Sequence, residues 1–162
     1  MNGSCPDDDF IRKVVDGYSD IIFRVSYQYV RNRQDSEDVL QETLLELLKY
    51  LRRSEFQSDE HMKAWLIRVA INKSINVAKY NARRRTKQIS DIREESVQQW
   101  DELESVLDKL SATDREVVYL HYFEGYSAKE IAEIIQKTEK SVFKRLSRSR
   151  KKLKDYISEG DG

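Results

Sequence analysis

One cysteine, one proline and five glycines in 162 residues rule out several kinds of protein at once. A lone thiol, Cys5, excludes a disulfide framework and a thiolate metal site. So few turn-formers, beside 36% charged residues, disfavour a turn-rich β fold and favour helices. No apolar run approaches membrane-spanning length and no secretory leader is visible, so a soluble cytoplasmic protein without membrane insertion is expected. His61 and His121 stand far apart with no third ligand type near either, and each reads as a surface or core polar residue. No metal or cofactor is expected, and no catalytic residue. The chain offers no nucleophile–base pair and no glycine loop for phosphate, and its tyrosines fit helix-face packing. Net charge is zero, which argues against an indiscriminate coat for nucleic acid.

What the chain does have is segregated charge. From Lys140 to Lys154 every charged residue is a cation: Lys140, Lys144, Arg145, Arg148, Arg150, Lys151, Lys152 and Lys154. On a helix, Val142, Leu146, Ser149, Leu153 and Ile157 form one inward stripe, and the cations take the remaining circumference. Cationic helix ends are common because they complement the helix dipole, and charge runs are usually solvated faces. That accounts for the last three lysines but not for the five cations before them, none of which has an acid at i±4. Upstream, Ser127 with Glu130 reads as a capping box, followed by Ile131, Ala132 and Ile135 as an inward face. The pair predicts a helix-turn-helix whose second helix suits a phosphate backbone and major-groove base edges.

The rest of the chain reads as helices too. The residues through Asp9 are polar and read as a frayed end. Ile11, Val14, Val15, Tyr18, Ile22, Val25 and Tyr29 recur at helical spacing, with a possible break near Gly17. A second helix starts at Asp35 or Ser36 and turns Val39, Leu40, Thr43, Leu44, Leu47, Leu48 and Leu51 inward. After a polar loop from Arg52 to Glu60, a third helix spans His61 to Arg85, with Trp65, Leu66, Val69, Ala70, Ile75 and Ala78 as its apolar positions. Acids collect on the second helix (Asp35, Glu37, Asp38, Glu42, Glu46). Cations collect at the end of the third (Lys79, Arg83, Arg84, Arg85). Periodicity then lapses in an acidic stretch, and a helical stripe of Trp100, Leu103, Leu107 and Leu110 and a helix from Thr113 to Phe123 precede the helix-turn-helix. The expected fold is all-α: two small helical domains, residues 8–87 and 103–158, joined by an acidic linker, 88–102. Two basic surfaces on two modules fit two contacts on one nucleic acid; the acidic helix taken alone reads as an ordinary solvated face, and a protein contact is its other reading.

The run DSEDVLQETLLELLKY (35–50), then MKAWLIRVAINKSINVAKYNARRR (62–85), then the terminal helix-turn-helix resembles the sigma factors of bacterial RNA polymerase. The two-domain extracytoplasmic-function group is the nearest in pattern, and the resemblance runs from about Phe10 to Ile157. It implies a transcription initiation factor that directs core RNA polymerase to promoter DNA and is itself not an enzyme. It also implies that Asp38, Gln41 and Glu42, with Leu45, dock on a coiled coil in the clamp of the polymerase's largest subunit. Asn72, Asn76, Lys79, Tyr80, Arg83 and Arg84 would face the melted −10 element, with the loop from Ser54 to Glu60 capturing a base. Lys140, Ser141, Phe143, Lys144, Ser147 and Arg148 would face the −35 duplex. Control by an anti-sigma factor is a further implication.

Three features depart from the family pattern. Asn76 stands where members often carry an acid. Gln136 and Lys137 replace a glycine and an apolar residue in the turn, so Gln136 must take the turn conformation without glycine's freedom. Phe143 stands where a polar or basic reader is common; its ring cannot hydrogen-bond a base edge but can pack on thymine methyls. The alternative is a stand-alone helix-turn-helix regulator, which has no use for the D-x-x-Q-E helix or the Trp65–Asn72 segment.

Overall fold

The computed structural model of the protein describes residues 7–85 and 107–160, except for the side chains of Arg85 and residues 157–160. The chain divides into two compact units, 1–93 and 94–162. Cys5 and the acidic linker expected at 88–102 lie outside the described residues, as do Trp100 and Leu103.

The N-terminal unit is three helices packed on one another: α1 (Asp8–Val30), α2 (Arg33–Leu51) and α3 (Asp59–Arg85). Asp7 to Asp9, expected to belong to a frayed end, are held instead, and residues 1–6 lie outside the described residues. The Asp7 carboxylate accepts the Phe10 N–H at 2.8 Å, and Asp8 and Asp9 complement the dipole of the first turn. Nor does α1 break at Gly17. The helix passes through it, because the burial of Val14, Ile21, Ile22 and Val25 outweighs glycine's propensity cost of ~1 kcal/mol. Val15, expected inside, is exposed. At Arg31 the backbone turns left-handed (φ 57°) and the Arg31 N–H closes on the Tyr27 carbonyl at 3.1 Å. Asn32 then caps α2, its side-chain oxygen accepting the Asp35 N–H at 2.8 Å. That cap starts α2 two residues before Asp35.

On α2, Val39, Thr43 and Leu47 are buried, and Leu40, Leu44, Leu48 and Leu51 are half-buried, as the periodicity predicts. The inward face of α3 differs from expectation. Met62, Leu66, Ile67, Ala70, Ile71 and Ser74 are buried, whereas Trp65, Val69, Ile75 and Ala78 are only partly covered. Apolar residues surround most of this helix, so periodicity alone does not single out the side that α1 and α2 cover. Three core hydroxyls need no partner from a neighbouring helix. Ser26, Thr43 and Ser74 each donate to the carbonyl four residues back, at 2.6–2.7 Å.

In the C-terminal unit a turn at Leu107–Leu110 leads into α4 (Ala112–Tyr122), α5 (Ala128–Ile135) and α6 (Glu139–Gly160). Ser111 caps α4 through the Asp114 N–H. Ser127 caps α5 through the Glu130 N–H at 3.1 Å, and the Glu130 carboxylate accepts from the Ser127 hydroxyl rather than from its backbone. The capping box is therefore half formed. Ile131, Ala132 and Ile134 are buried, so Ile134 takes the place expected for Ile135. Val142, Leu146 and Ser149 are the buried stripe of α6, and Leu153 packs on Leu107, Leu110 and Val118.

Candidate nucleic-acid and polymerase-binding surfaces

The turn between α5 and α6 is built on Gln136, whose backbone is left-handed (φ 57°, ψ 45°). The Lys137 N–H closes back on the Ala132 carbonyl at 2.9 Å, and Thr138 caps α6 by accepting the Ser141 N–H at 3.1 Å. A non-glycine residue at this φ costs about 1 kcal/mol or more, and the turn carries that strain. The arrangement is a helix-turn-helix, with the small Ala132 buried between its helices.

Along α6, Lys140, Phe143, Lys144, Ser147 and Arg148 are exposed at spacings of three and four, on one face opposite the buried stripe. Ser141 is half-buried at the rim. Lys151, one further turn along the same face, is also exposed and belongs with this set. Arg145 does not. Its Nη1 donates to the Asp114 carboxylate at 2.8 Å, and the pair is largely buried between α4 and α6. The uninterrupted cation run therefore contains one structural arginine, whose acid partner lies 31 residues upstream. Arg150 Nε donates to the Tyr122 hydroxyl at 2.8 Å at the surface. His121 meets the Tyr126 carbonyl through Nδ1 at 2.8 Å, a structural polar contact.

On the N-terminal unit, Asp38, Gln41, Glu42 and Leu45 are all exposed, and their i, i+3, i+4, i+7 spacing puts them on one stripe of α2. Leu45 is 56% exposed, an apolar point at the end of an acidic row. Such a stripe suits a helix-shaped protein surface with cations around an apolar seam.

A second stripe runs along α3. Asn72, Asn76, Lys79, Tyr80 and Arg83 are exposed on one face, and Arg84 is exposed beside them. Tyr80 is 58% exposed, with the Arg84 guanidinium over one face of its ring, 5.6 Å from the centre. Amides, an open aromatic face and cations together can hold an unpaired strand: the ring stacks a base, the amides meet base edges and the cations follow phosphates. Lys73 lies 3.9 Å from both Glu42 and Glu46, so α2's acids and α3 meet at one seam.

The end of α3 is held by contacts the local sequence does not announce. Asn81 donates to the Asp35 carboxylate at 2.8 Å, and Asn32 donates to the same oxygen at 2.7 Å. This clasp ties the segment bearing Lys79 to Arg84 to the start of α2, across 46 residues of sequence. Of the segment expected as a loop to Glu60, Asp59 and Glu60 form the first turn of α3 instead. Residues 54–60 are exposed except at Phe56, which stacks on Tyr50 (4.5 Å between centres) and meets Trp65 and His61 edge-on. Burial, and then the charges of Asp59 and Glu60, raise the Tyr18 pKa. No group of three potential metal-ligating side chains occurs among the described residues. Among these residues, too, no helix is long and apolar enough to cross a membrane.

A helical unit with an acidic stripe and a second stripe of amides, a tyrosine and cations, followed by a helix-turn-helix, fits a two-part DNA-binding protein with a protein partner. Residues 14–86 match the family model for sigma-70 region 2, and residues 100–153 match that for sigma-70 region 4. The RNA polymerase sigma factor SigV of Bacillus subtilis is 24% identical over 145 residues, 86% of each chain. The ECF RNA polymerase sigma factor SigE of Mycolicibacterium smegmatis is 24% identical over 164 residues, 93% of this chain and 61% of that one. In fold, the chain is similar to the sigma factor RpoE of Bartonella quintana, solved in complex with the anti-sigma factor NepR. The TM-score is 0.74 at 21% identity, covering 94% of this chain and 98% of that one. The chain belongs to the sigma-70 family and is an RNA polymerase sigma factor of the extracytoplasmic-function group.

Proposed function

We propose that the sigma-factor work is divided among the three exposed stripes. Asp38, Gln41, Glu42 and Leu45 dock on the coiled coil in the clamp of the largest polymerase subunit. Asn72, Asn76, Lys79, Tyr80, Arg83 and Arg84 hold the unpaired −10 strand, with residues 54–60 taking a base. Lys140, Ser141, Phe143, Lys144, Ser147 and Arg148 read the −35 duplex. Residues 8–87 and 103–158 act as separate modules, with 88–102 as the tether between them. Synthesis of RNA belongs to the polymerase.

The observation that carries this reading is the α3 stripe. A duplex reader has no use for an open tyrosine face flanked by amides and cations, and a melted strand has. The match of residues 14–86 to sigma-70 region 2 disfavours a stand-alone regulator for the same reason. An anti-sigma factor that covers these surfaces is the fitting inhibitor, since RpoE, of like fold, was solved with one.

The test is direct binding to core polymerase. Combined alanine replacement of Asp38, Gln41 and Glu42 should weaken the complex by about tenfold or more, because several contacts to charged groups are lost together. The α3 replacements Asn76→Ala and Tyr80→Ala should leave core binding intact and reduce promoter opening. Undiminished core binding by the triple variant would remove the acidic stripe from the interface.

A further inference from the structure

Phe143, the fifth residue of α6, leaves 55% of its surface exposed. The core does not use it, since the inward stripe of the helix is Val142, Leu146 and Ser149. Its neighbours on the outward face are Lys140 one turn before, Lys144 beside it, and Ser147 and Arg148 one turn after, all exposed. A solvated helix face has no need of a phenyl ring among three cations. The ring's place near the helix N-terminus is where a recognition helix meets base edges, while flanking cations meet phosphates.

A phenyl ring neither donates nor accepts a hydrogen bond, so every hydrogen-bonding group on the major-groove base edges is closed to it. What remains is the C5-methyl group of thymine. Cytosine methylated at C5 carries the same methyl on the same ring carbon.

We infer that Phe143 is a reader of C5-methyl groups: it covers the methyl of a thymine in the duplex taken by α6, and it responds equally to a methyl placed on cytosine there. This rests on the reading of α6 as the −35 helix and adds to it a chemical specificity. Promoter choice by this protein thereby becomes sensitive to cytosine C5-methylation at one position. A polar side chain that reads bases through hydrogen bonds would not have this sensitivity.

The experiment uses the full chain bound to core polymerase and a promoter obtained by selection. Each thymine of the −35 element, on either strand, is replaced singly by deoxyuridine, which removes the methyl and nothing else. Competition binding should find one thymine whose methyl is worth about fourfold, the value of one buried carbon. At that position a C·G pair should gain a similar factor when the cytosine is methylated. Both ratios should fall to one in Phe143→Ala, whatever that variant does to overall affinity. Lys144→Ala with Arg148→Ala separates the two layers of the argument. If that double variant binds the promoter as tightly as the parent, α6 is not the −35 reader and the inference falls with it. If the double variant fails but no deoxyuridine matters, or the methyl effect persists in Phe143→Ala, then α6 reads duplex and Phe143 is not a methyl reader.

Discussion

Glu116→Gln should make the C-terminal unit more stable, and by an amount that grows with pH. Glu116 is fully buried, and neither carboxyl oxygen has a hydrogen-bond partner. Burial raises its pKa well above the ordinary 4.5, with Arg115 pulling weakly the other way. The unfolded chain releases this proton above pH 4.5, whereas the folded chain keeps it. Stability therefore falls as pH rises from 4.5 towards the folded pKa, with a slope approaching ~1.4 kcal/mol per pH unit. As long as the folded group keeps its proton, the loss between pH 5 and pH 6 is about 1 kcal/mol, since the unfolded group is already mostly ionised at pH 5. In a unit of this size that is roughly 4–8 °C in Tm. Glutamine keeps the shape and cannot ionise. Thermal unfolding of the full chain at pH 5, 6 and 7 should show the variant gaining on the parent at each step. A parent–variant difference that is constant across the three would refute the buried neutral carboxyl.

Gly17→Ala should stabilise the N-terminal unit by about 0.5–1 kcal/mol, because an added Cβ meets nothing within 4 Å in mid-helix; denaturant melts would measure it. Gln136→Gly should relieve the left-handed strain at φ 57°, and after glycine's own entropy cost gain about 0.5 kcal/mol. A loss in a denaturant titration would show that the Gln136 side chain matters more than its backbone. Arg145→Ala should cost about 2 kcal/mol or more by stranding the Asp114 carboxylate, the partial exposure of the arginine holding the figure below that of a fully buried pair. That loss is read in urea titration, and it separates Arg145 from the outward cations Lys144 and Arg148, whose replacement should leave stability within ~0.5 kcal/mol.

Much of the fold was legible because helices announce themselves locally. The α6 stripe, the α2 leucines and the Ser127 cap all follow from spacing within a few residues, and the structure has each of them. Gln136 was placed in the turn by the resemblance, since it stands where the family usually carries glycine, and its φ of 57° agrees. What escaped was decided by distant partners. Arg145 reads like its cationic neighbours until Asp114, 31 residues away, turns it inward. The Asn32–Asp35–Asn81 clasp spans 46 residues, and no local rule predicts that an asparagine near the end of α3 would hold the start of α2. The covered side of α3 was hidden for a different reason. With Ile67 and Ile71 as apolar as Val69 and Ile75, the choice of face belongs to packing and not to periodicity. On α2 and α6, by contrast, the exposure of the site stripes followed from the same spacing that buries their opposite faces.

The most direct test of the account is transcription by core RNA polymerase from a related bacterium, with and without this protein, across a genomic promoter library. The account predicts initiation at a defined set of promoters that requires both components and is lost when Asp38 and Gln41 are replaced together by alanine. No initiation, with specific duplex binding by the protein alone, would contradict it and return the chain to the class of stand-alone regulators.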